Sequence, residues 1–356
     1  MGFINLKKLS EPKDYYLMMK DICVCTIYPG GQVEIFREDL LPFDIYLESG
    51  SDADYVNNLI NFYAWCASRL LSIDRIYAKE ILNSVGLSTA RTDKERSSIA
   101  LSYNCLSLKD FYWVTDNLEK DYYSNINLFD NSLGDIIDIS LRGKVETLTN
   151  SKLISKDLMT DGRAPKAWVR NKNSFKLYKG DLPEYEDSSV LNEVRASKAL
   201  QELGFECTEY EGISYQGNIT SVCNCFTSKD IGWVTAEMYN MNYELSDLMV
   251  DIYKEQFWIM NLCDYLIGNS DRHGSNWGIL FNDKRKVIGL TPLFDFDHAF
   301  RALPNYICLP LQLIGKSMSY LEAASYAVKL LSIDVKQLLN NCSDAYVKDR
   351  LKLLIS

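Results

Sequence analysis

The spacing of apolar and polar residues predicts strands and then helices in the first part of the chain. "DICVCTIY" and "QVEIF" flank Pro29-Gly30-Gly31, and two apolar runs separated by strong turn formers predict a β-hairpin. "YVNNLINFYAWCASRLL" and "IDRIYAKEILNSVGL" carry apolar residues at helical spacing, with Gly86 as a stop signal. Thr92 and Glu95 have capping-box spacing and predict where a third helix begins.

The middle of the chain has a mixed pattern. A short strand ending near Val169, the turn Asn171–Ser174 and "FKLYKG" predict a second hairpin. "SSVLNEVRASKALQELGF" predicts a helix, with Ser188 or Ser189 as N-cap and Gly204 as the stop. "SVCNCFTS" and "GWVTAEMY" then predict two further strands.

The last part is mostly helical. "FWIMNLCDYLI" is apolar nearly all round, which is typical of a buried helix, and Gly268 ends it. "WGILF" and "VIGLTPLF" flank the turn Asn282–Arg285 and predict a small hairpin, after which two more helices close the chain. These elements predict an α+β fold with sections at 1–141, 142–241 and 242–356.

Composition narrows the classes of function. The chain has 356 residues and a formal net charge of −10, and its longest basic run is Lys284–Lys286. Nucleic-acid binding depends on clustered Lys and Arg, so we expect no direct binding of DNA or RNA. The sequence shows no apolar run long enough for a membrane span and no signal peptide, which favours a cytoplasmic protein without membrane contact.

The ten cysteines are scattered, and the Cys23/Cys25 and Cys223/Cys225 pairs are each separated by one residue. That spacing suits neither a zinc knuckle nor a redox motif. It favours alternate positions on a strand, where a free cysteine packs as a small apolar residue.

The chemistry is concentrated in "GNSDRHGSN" and "PLFDFDH", which contain both histidines of the chain. Asp271 and Asn276 lie on a loop after the buried helix, and the hairpin that follows returns the chain to Asp295. A carboxylate and an amide oxygen that converge on one point suit Mg²⁺. Protein kinases use the same spacing, in which an aspartate precedes an asparagine by five residues and a metal-binding aspartate follows a hairpin.

Asp271-Arg-His-Gly-Ser-Asn276 and Pro292-Leu-Phe-Asp295 resemble the two motifs of the HipA family of bacterial serine/threonine kinases. The resemblance implies a two-lobed kinase fold with an N-terminal extension, and ATP with Mg²⁺ as cofactors. It makes Asp271 the catalytic base and His273 a loop residue that bonds phosphate or steadies the loop. It makes Asn276 and Asp295 metal ligands, with Asp297 as the alternative to Asp295.

The resemblance extends upstream, over about residues 161–300. Six further positions would then contact the nucleotide or support those that do. Gly162 and Lys166 match a phosphate-side loop, and Lys179 matches the strand lysine, with Lys176 as its alternative; Glu193 would pair with Lys179, and Glu237 and Met238 fall where a hinge passes the adenine.

Three expectations follow from the comparison with the family motif. Ser275 stands where relatives often carry a lysine, so Arg272 is a candidate to neutralise phosphate. His298 is expected to give structural support behind Asp295. Relatives can phosphorylate a serine in their own phosphate-side loop, which makes the window from Ser151 to Thr160 a candidate for autophosphorylation.

Other functions remain open on the sequence. "DRHGSN" also resembles the loop of phosphatidylinositol-type lipid kinases, although the acidic balance disfavours an anionic membrane. A pseudokinase that binds without turnover is a third possibility, and any single loop Asp or Asn can simply serve a turn. HipA relatives act on proteins, and some belong to toxin–antitoxin pairs, so the expected partners are a protein substrate of unknown identity and a small antitoxin-like protein.

Overall fold

The computed structural model describes residues 12–72, 74–84, 92–119, 121–131, 162–171, 174–182, 187–302 and 307–355. Helices and strands are mixed along the chain, so the predicted α+β class is confirmed. The chain divides into two compact units. Unit 1 comprises residues 1–179, 227–232 and 281–286, and unit 2 comprises residues 180–226, 233–280 and 287–356.

Unit 1 begins with a four-stranded sheet. Its strands are β1 (Tyr15–Met19), β2 (Ile22–Ile27), β3 (Val33–Ile35) and β4 (Tyr112–Thr115), in the order β3-β2-β1-β4. β2 and β3 pair antiparallel, which confirms the first predicted hairpin. Cys23 and Cys25 lie on β2, and all ten cysteines of the chain are free thiols.

Four α-helices lie in the described residues of unit 1. They are α1 (Asp52–Ser68), α2 (Ala78–Ser84), α3 (Asp93–Ser102) and α4 (Tyr123–Ile126). α3 begins at the predicted capping box, in which the Thr92 side chain accepts from the Glu95 amide and the Glu95 carboxylate accepts from the Thr92 amide. α2 ends at Ser84, and the predicted stop at Gly86 lies outside the described residues.

A buried ion pair joins two segments of unit 1. The Arg69 guanidinium donates to both carboxylate oxygens of Asp110, at 2.9 and 2.7 Å, and to the backbone oxygens of Cys105 and Tyr112. Both charged side chains are under one-tenth exposed, so this pair lies inside the core with its hydrogen bonds satisfied.

The second predicted hairpin is confirmed. β5 (Lys166–Asn171) and β6 (Ser174–Gly180) pair antiparallel, with Lys166 opposite Lys179. Because side chains alternate across a strand, Lys176 and Lys179 leave β6 on opposite faces. Lys179 is the buried one.

Unit 2 starts with a helix and a hairpin. α5 (Ser189–Glu202) is N-capped by Ser188, whose side chain accepts from the Leu191 amide, as one of the two predicted caps. β7 (Glu211–Tyr215) and β8 (Asn218–Asn224) pair antiparallel around a tight turn. The turn residues Gln216 and Gly217 both have positive φ, as a type I′ turn requires.

The strand predicted over "GWVTAEMY" ends earlier than expected. β9 covers Ile231–Thr235, and α6 (Ala236–Asn242) begins directly after it. The side chain of Thr235 accepts from the Met238 amide, so this threonine is the N-cap of the helix that begins where the strand ends. A short helix α7 (Leu245–Asp247) and a π-helix (Leu248–Ile252) follow.

α8 (Lys254–Ile267) is the buried helix predicted from its apolar composition, and Gly268 ends it in the left-handed conformation with φ 65°. β10 (Gly278–Asn282) and β11 (Val287–Leu290) form the predicted small hairpin and lie in a three-stranded sheet of order β11-β10-β9. The sequence predicted two further helices in the C-terminal part, whereas the described residues contain four. They are α9 (Leu309–Leu313), α10 (Tyr320–Leu331), α11 (Val335–Asn341) and α12 (Ala345–Ile355).

The predicted section boundaries stay predictions. The first, between residues 141 and 142, lies outside the described residues, and the second falls inside α6. No helix in the described part of the chain combines the length and apolar character needed to cross a lipid bilayer.

Candidate active site

The site is built on the loop of residues 269–276, which connects α8 to β10. Gly268 reverses the chain at the end of α8 by adopting the left-handed conformation, which costs glycine little. A Cβ at this position would meet the Tyr346 hydroxyl at 2.1 Å and the Arg301 backbone oxygen at 2.8 Å. Only glycine therefore fits here, and the loop leaves α8 in one defined direction.

A buried polar network lies under the loop. Asp264, on the last turn of α8, accepts from Asn269 Nδ2 at 2.9 Å and from the Arg272 guanidinium at 2.9 and 3.0 Å. The Asn269 Oδ1 accepts from the Asp271 amide at 3.2 Å. Asp264, Asn269 and Arg272 are all fully buried. A buried network with its hydrogen bonds satisfied is rigid, so it fixes the backbone on which Asp271 stands.

Arg272 also joins the loop to the segment that follows β11. Its Nη1 donates to the backbone oxygen of Asn276 at 2.7 Å and to the backbone oxygen of Phe294. Burial acts to lower the pKa of Arg272, but the Asp264 carboxylate outweighs it and raises the pKa. The expectation that Arg272 neutralises phosphate is therefore wrong, because its side chain is fully buried and committed to these partners.

Asp271 occupies the centre of the site. Its carboxylate is about two-fifths exposed, and Oδ2 lies 3.9 Å from Nε2 of both His273 and His298. Burial raises the pKa of Asp271; the two histidines oppose that rise, and the negative charges of Asp295 and Asp297 add to it. The site thus places two further carboxylates and both histidines of the chain around the partly exposed Asp271 carboxyl group.

Asn276 closes the loop. Its Nδ2 donates to the Asp271 backbone oxygen at 2.9 Å, and its amide donates to the His273 backbone oxygen at the same distance. Asn276 is nearly buried. Because Nδ2 is engaged with the loop backbone, Oδ1 is the atom of this side chain that can ligate a cation.

The Asp295 segment is anchored by the aromatic residues on either side of it. Phe294 packs against Phe226 and Trp233, with ring centroids 5.6 Å from each. Phe296 is fully buried and lies 5.9 Å from the ring of Tyr210, whose hydroxyl accepts from the Asp295 amide at 3.2 Å.

Asp295 itself has φ 60°, in the left-handed region that Asp tolerates better than most residues. Backbone strain of this kind concentrates at functional sites, and here packing on both sides maintains it.

Asp297 and His298 belong to the site as well. One ligand atom from each lies within 4.8 Å of the other and of a carboxylate oxygen of Asp271. His298 was expected to give support behind Asp295, but the structure places its imidazole beside Asp271 instead. The sequence carried a signal for this role, since a chain with two histidines places both next to clustered carboxylates.

His273 is oriented by its neighbours. Its Nδ1 accepts from the Ser275 amide at 3.2 Å, so a neutral imidazole carries its proton on Nε2, the atom that faces Asp271. The Ser275 hydroxyl donates to a Glu237 carboxylate oxygen at 2.9 Å. These contacts form a chain of polar groups from Glu237 through Ser275 and His273 to Asp271.

The predicted adenine-contacting residues lie on a helix rather than an extended hinge. The Glu237 amide donates to the Gly274 backbone oxygen at 3.0 Å, and the Met238 amide donates to the Thr235 side chain at 3.2 Å. Both amides are therefore already committed. A nucleotide role for Glu237 and Met238 stays a prediction, and the structure adds a contact of Glu237 with the loop.

The loop predicted to lie beside the phosphates has a defined backbone. Gly162 has φ 91°, and a Cβ there would come within 2.6 Å of the Lys166 Nζ. The Arg163 backbone oxygen accepts from the Ile76 amide at 3.0 Å, and the Lys166 backbone oxygen accepts from the Arg75 guanidinium. The loop is thus held against the segment before α2, within unit 1. Thr160 and the window back to Ser151 lie outside the described residues.

Lys179 and Glu193 are each buried. The Glu193 carboxylate accepts from the Ser221 hydroxyl at 2.6 Å, so it is an internal polar group rather than a solvated helix edge. The predicted pairing of Lys179 with Glu193, and the nucleotide contact of Lys179, stay predictions.

The donor set fits a divalent cation. Asp271, Asp295 and Asp297 supply carboxylates and Asn276 an amide oxygen, which are the ligands that Mg²⁺ accepts. Burial is the main cause of the raised pKa of Asp271, and the negative charges of Asp295 and Asp297 add to it. A bound cation would relieve that repulsion between the carboxylates.

Comparison with known proteins finds similar chain traces at low identity. A proinflammatory kinase of Helicobacter pylori, CtkA, is 17% identical, with a TM-score of 0.39 over 55% of this chain and 87% of that one. HipA of Shewanella oneidensis MR-1, solved with HipB and operator DNA, is 13% identical, with a TM-score of 0.48 over 96% of this chain and 90% of that one. No family model and no curated protein sequence matches the chain.

Proposed function

We propose that this protein is an ATP-dependent serine/threonine kinase of the HipA type. The observation that carries the proposal is the loop of residues 269–276. It presents the partly exposed Asp271 carboxylate between two imidazoles and beside further carboxylates, on a backbone fixed by buried Arg272. A positioned carboxylate beside metal-binding oxygens suits phosphoryl transfer, because catalysis of that reaction is mainly positioning and charge stabilisation.

Asp271 would orient the substrate hydroxyl and accept its proton as that oxygen bonds to phosphorus and the bond to the leaving nucleotide breaks. Mg²⁺-ATP, when bound, would supply the phosphoryl group and part of the charge neutralisation. Asn276 and Asp295 would hold the metal, with Asp297 as the alternative to Asp295. His273 would steady the loop through Ser275 and, when protonated, bond phosphate.

The test is phosphate transfer from labelled ATP to proteins of a host lysate. Asp271→Asn should lower the rate by about 10²- to 10⁴-fold, the usual contribution of a general base, because it removes the proton acceptor at nearly constant volume. Asp251→Asn is the matched control, since Asp251 is an exposed carboxylate on the π-helix. Equal rates for Asp271→Asn and wild type would refute the proposed role.

The same assay separates the alternatives. Transfer to phosphatidylinositol vesicles and not to protein would indicate a lipid kinase. Mg²⁺-dependent nucleotide binding without transfer to any acceptor would indicate a pseudokinase. The intact set of Asp271, Asn276 and Asp295 favours turnover over a silent binding module.

The proposed partners are a protein substrate and a small antitoxin-like protein. The HipA of Shewanella oneidensis was solved with HipB and operator DNA, which makes a comparable partner a reasonable target for a test. For this chain we propose no direct contact with nucleic acid, because its net charge is −10. Co-sedimentation with the product of the adjacent gene tests for the antitoxin-like partner. Binding of the chain alone to duplex DNA tests whether it contacts nucleic acid directly.

A further inference from the structure

Three side chains from two segments converge at one side of the site. Asp271 comes from the loop after α8, and Asp297 and His298 come from the segment after β11. One ligand atom from each lies within 4.8 Å of the other two. Asp297 is nearly buried, whereas Asp271 and His298 are partly exposed. The cluster therefore combines one nearly buried ligand with two that can be approached from solvent.

The donor set of this cluster differs from that of a magnesium site. Mg²⁺ is held by oxygen and retains most of its water, so an imidazole adds little to its binding. Zn²⁺ and related ions accept nitrogen and carboxylate oxygen together, and three protein ligands with an open fourth position are common for Zn²⁺. One imidazole with two carboxylates matches this second pattern.

The other histidine provides an internal comparison. His273 Nε2 is also 3.9 Å from the Asp271 carboxylate, but His273 is not part of the cluster. Its side chain is 48% exposed, against 22% for His298, and its Nδ1 accepts from the Ser275 amide. The two histidines are therefore equally distant from Asp271. They differ in that His298, and not His273, lies close to Asp297 as well.

We propose that Asp271, Asp297 and His298 form a binding site for a divalent transition-metal ion of the Zn²⁺ class, and that the ion inhibits the enzyme. Bound Zn²⁺ would occupy the carboxylate that must receive the hydroxyl proton. The inhibition rests on the proposed kinase function, but the metal binding does not. The two parts can therefore fail separately.

Metal binding is tested on nucleotide-free protein by following the imidazole proton resonances during addition of Zn²⁺. The chain has two histidines, so His298→Asn and His273→Asn assign both sets of signals. One equivalent of bound Zn²⁺ should shift the His298 signals and leave those of His273 nearly in place. The ten cysteines can bind Zn²⁺ elsewhere, which is why imidazole signals and not total metal are followed. Unshifted His298 signals, or a shift confined to His273, would overturn the site.

Titration calorimetry with Zn²⁺ gives the affinity. His298→Asn and Asp297→Asn should each weaken this one site by at least about tenfold, since even losing an outer-shell partner of a metal site has an effect of that size. His273→Asn is the matched control and should retain wild-type affinity. The Asp297 variant keeps the test decisive if the His298 variant does not fold. Equal affinity in all four proteins would contradict the assignment.

The inhibitory role is tested in the phosphate-transfer assay with excess Mg²⁺. Zn²⁺ should inhibit the wild-type enzyme, and His298→Asn should need at least about tenfold more Zn²⁺ for the same inhibition. If Zn²⁺ binds at His298 but does not change a measurable transfer rate, the inhibitory role is refuted and the metal site still stands. An absence of transfer in the zinc-free protein would instead refute the proposed function.

Discussion

Among the described residues, each unit contains a buried arginine–aspartate pair, and the two arginines hold different parts of the backbone. Arg69 and Asp110 in unit 1, and Arg272 and Asp264 in unit 2, are nearly inaccessible, and each arginine also donates to two backbone oxygens. The difference lies in where those oxygens are.

Arg69 reaches Cys105 and Tyr112, which are core residues around β4. Arg272 reaches the backbone of Asn276, which is itself a candidate metal ligand, and of Phe294, which directly precedes the candidate ligand Asp295. The same interaction therefore stabilises a core in one unit and positions a site in the other.

Among variants of the two ion pairs, Arg272→Met should have the largest effect, because it lowers both stability and phosphate transfer. Leaving Asp264 as an unpaired buried charge should lower the free energy of unfolding by about 3–5 kcal/mol. Phosphate transfer per folded molecule should fall about 100-fold, since a shift of about 1 Å at a catalytic group can have that effect. Urea unfolding and transfer rates at a fixed folded fraction measure the two effects.

Arg272→Lys is the milder companion variant. It keeps the charge but cannot reproduce the forked contacts of guanidinium, so the activity loss should persist with a smaller loss of stability. Full activity in Arg272→Lys would show that the loop does not depend on these contacts.

Arg69→Met should lower the stability of the protein without changing its rate of phosphate transfer. The unfolding free energy should again fall by about 3–5 kcal/mol, because Asp110 is left buried without its partner. Transfer per folded molecule should remain at the wild-type rate, measured at a temperature where the variant is folded. A loss of specific activity equal to that of Arg272→Met would remove the distinction between the two pairs.

Replacing both partners sharpens the comparison. Arg69→Met with Asp110→Leu, and Arg272→Met with Asp264→Leu, should each be much less destabilising than the arginine variant alone, because no buried charge is left unpaired. The unit 2 double variant should still lose transfer activity, since Asn276 and Phe294 lose their shared donor. Chemical denaturation paired with the transfer assay separates recovered stability from lost positioning.

Glu237→Gln should have the smallest effect. The carboxylate accepts from the exposed Ser275 hydroxyl, and an amide oxygen can accept the same bond with less strength. Transfer should fall only a few-fold, with unfolding free energy within about 0.5 kcal/mol of wild type, as is usual for a surface substitution. Glu255→Gln on the exposed start of α8 is the control, and an equal effect from it would argue against the Glu237 contact.

Local structure could be predicted well because its causes are local. Thr92 and Glu95 satisfy each other across one helical turn, and Gly268 alone allows the chain to reverse after α8. The strand predicted over "GWVTAEMY" was too long because the segment carries two different signals. Its first residues favour an extended strand, and Thr235 then caps a helix that takes up the rest.

Within the candidate site, the sequence identified the residue types and their spacing but not the direction of each side chain. Asp264 and Asn269 received no role, although they are polar residues in or next to an apolar helix, which was the available signal. Arg272 was expected to face phosphate and is buried, and His298 was expected behind Asp295 and lies beside Asp271. The errors over Arg272 and His298 concern the direction of a side chain, whereas Asp264 and Asn269 were missed as members of the site.

The sequence by itself determined which residues share an element: Asp271 with Asn276 on one loop, and Asp295 with Asp297 after one hairpin. These follow from period, caps and turns, which act over a few residues. Only the tertiary structure decided that Arg272 turns inward, because its partners Asp264 and Phe294 lie on separate segments. It likewise decided that His298, and not Asp295, joins Asp271 and Asp297 in one cluster. The physical reason is that a buried polar side chain turns toward the groups that can form hydrogen bonds with it. Folding brings those groups together from distant positions in the sequence.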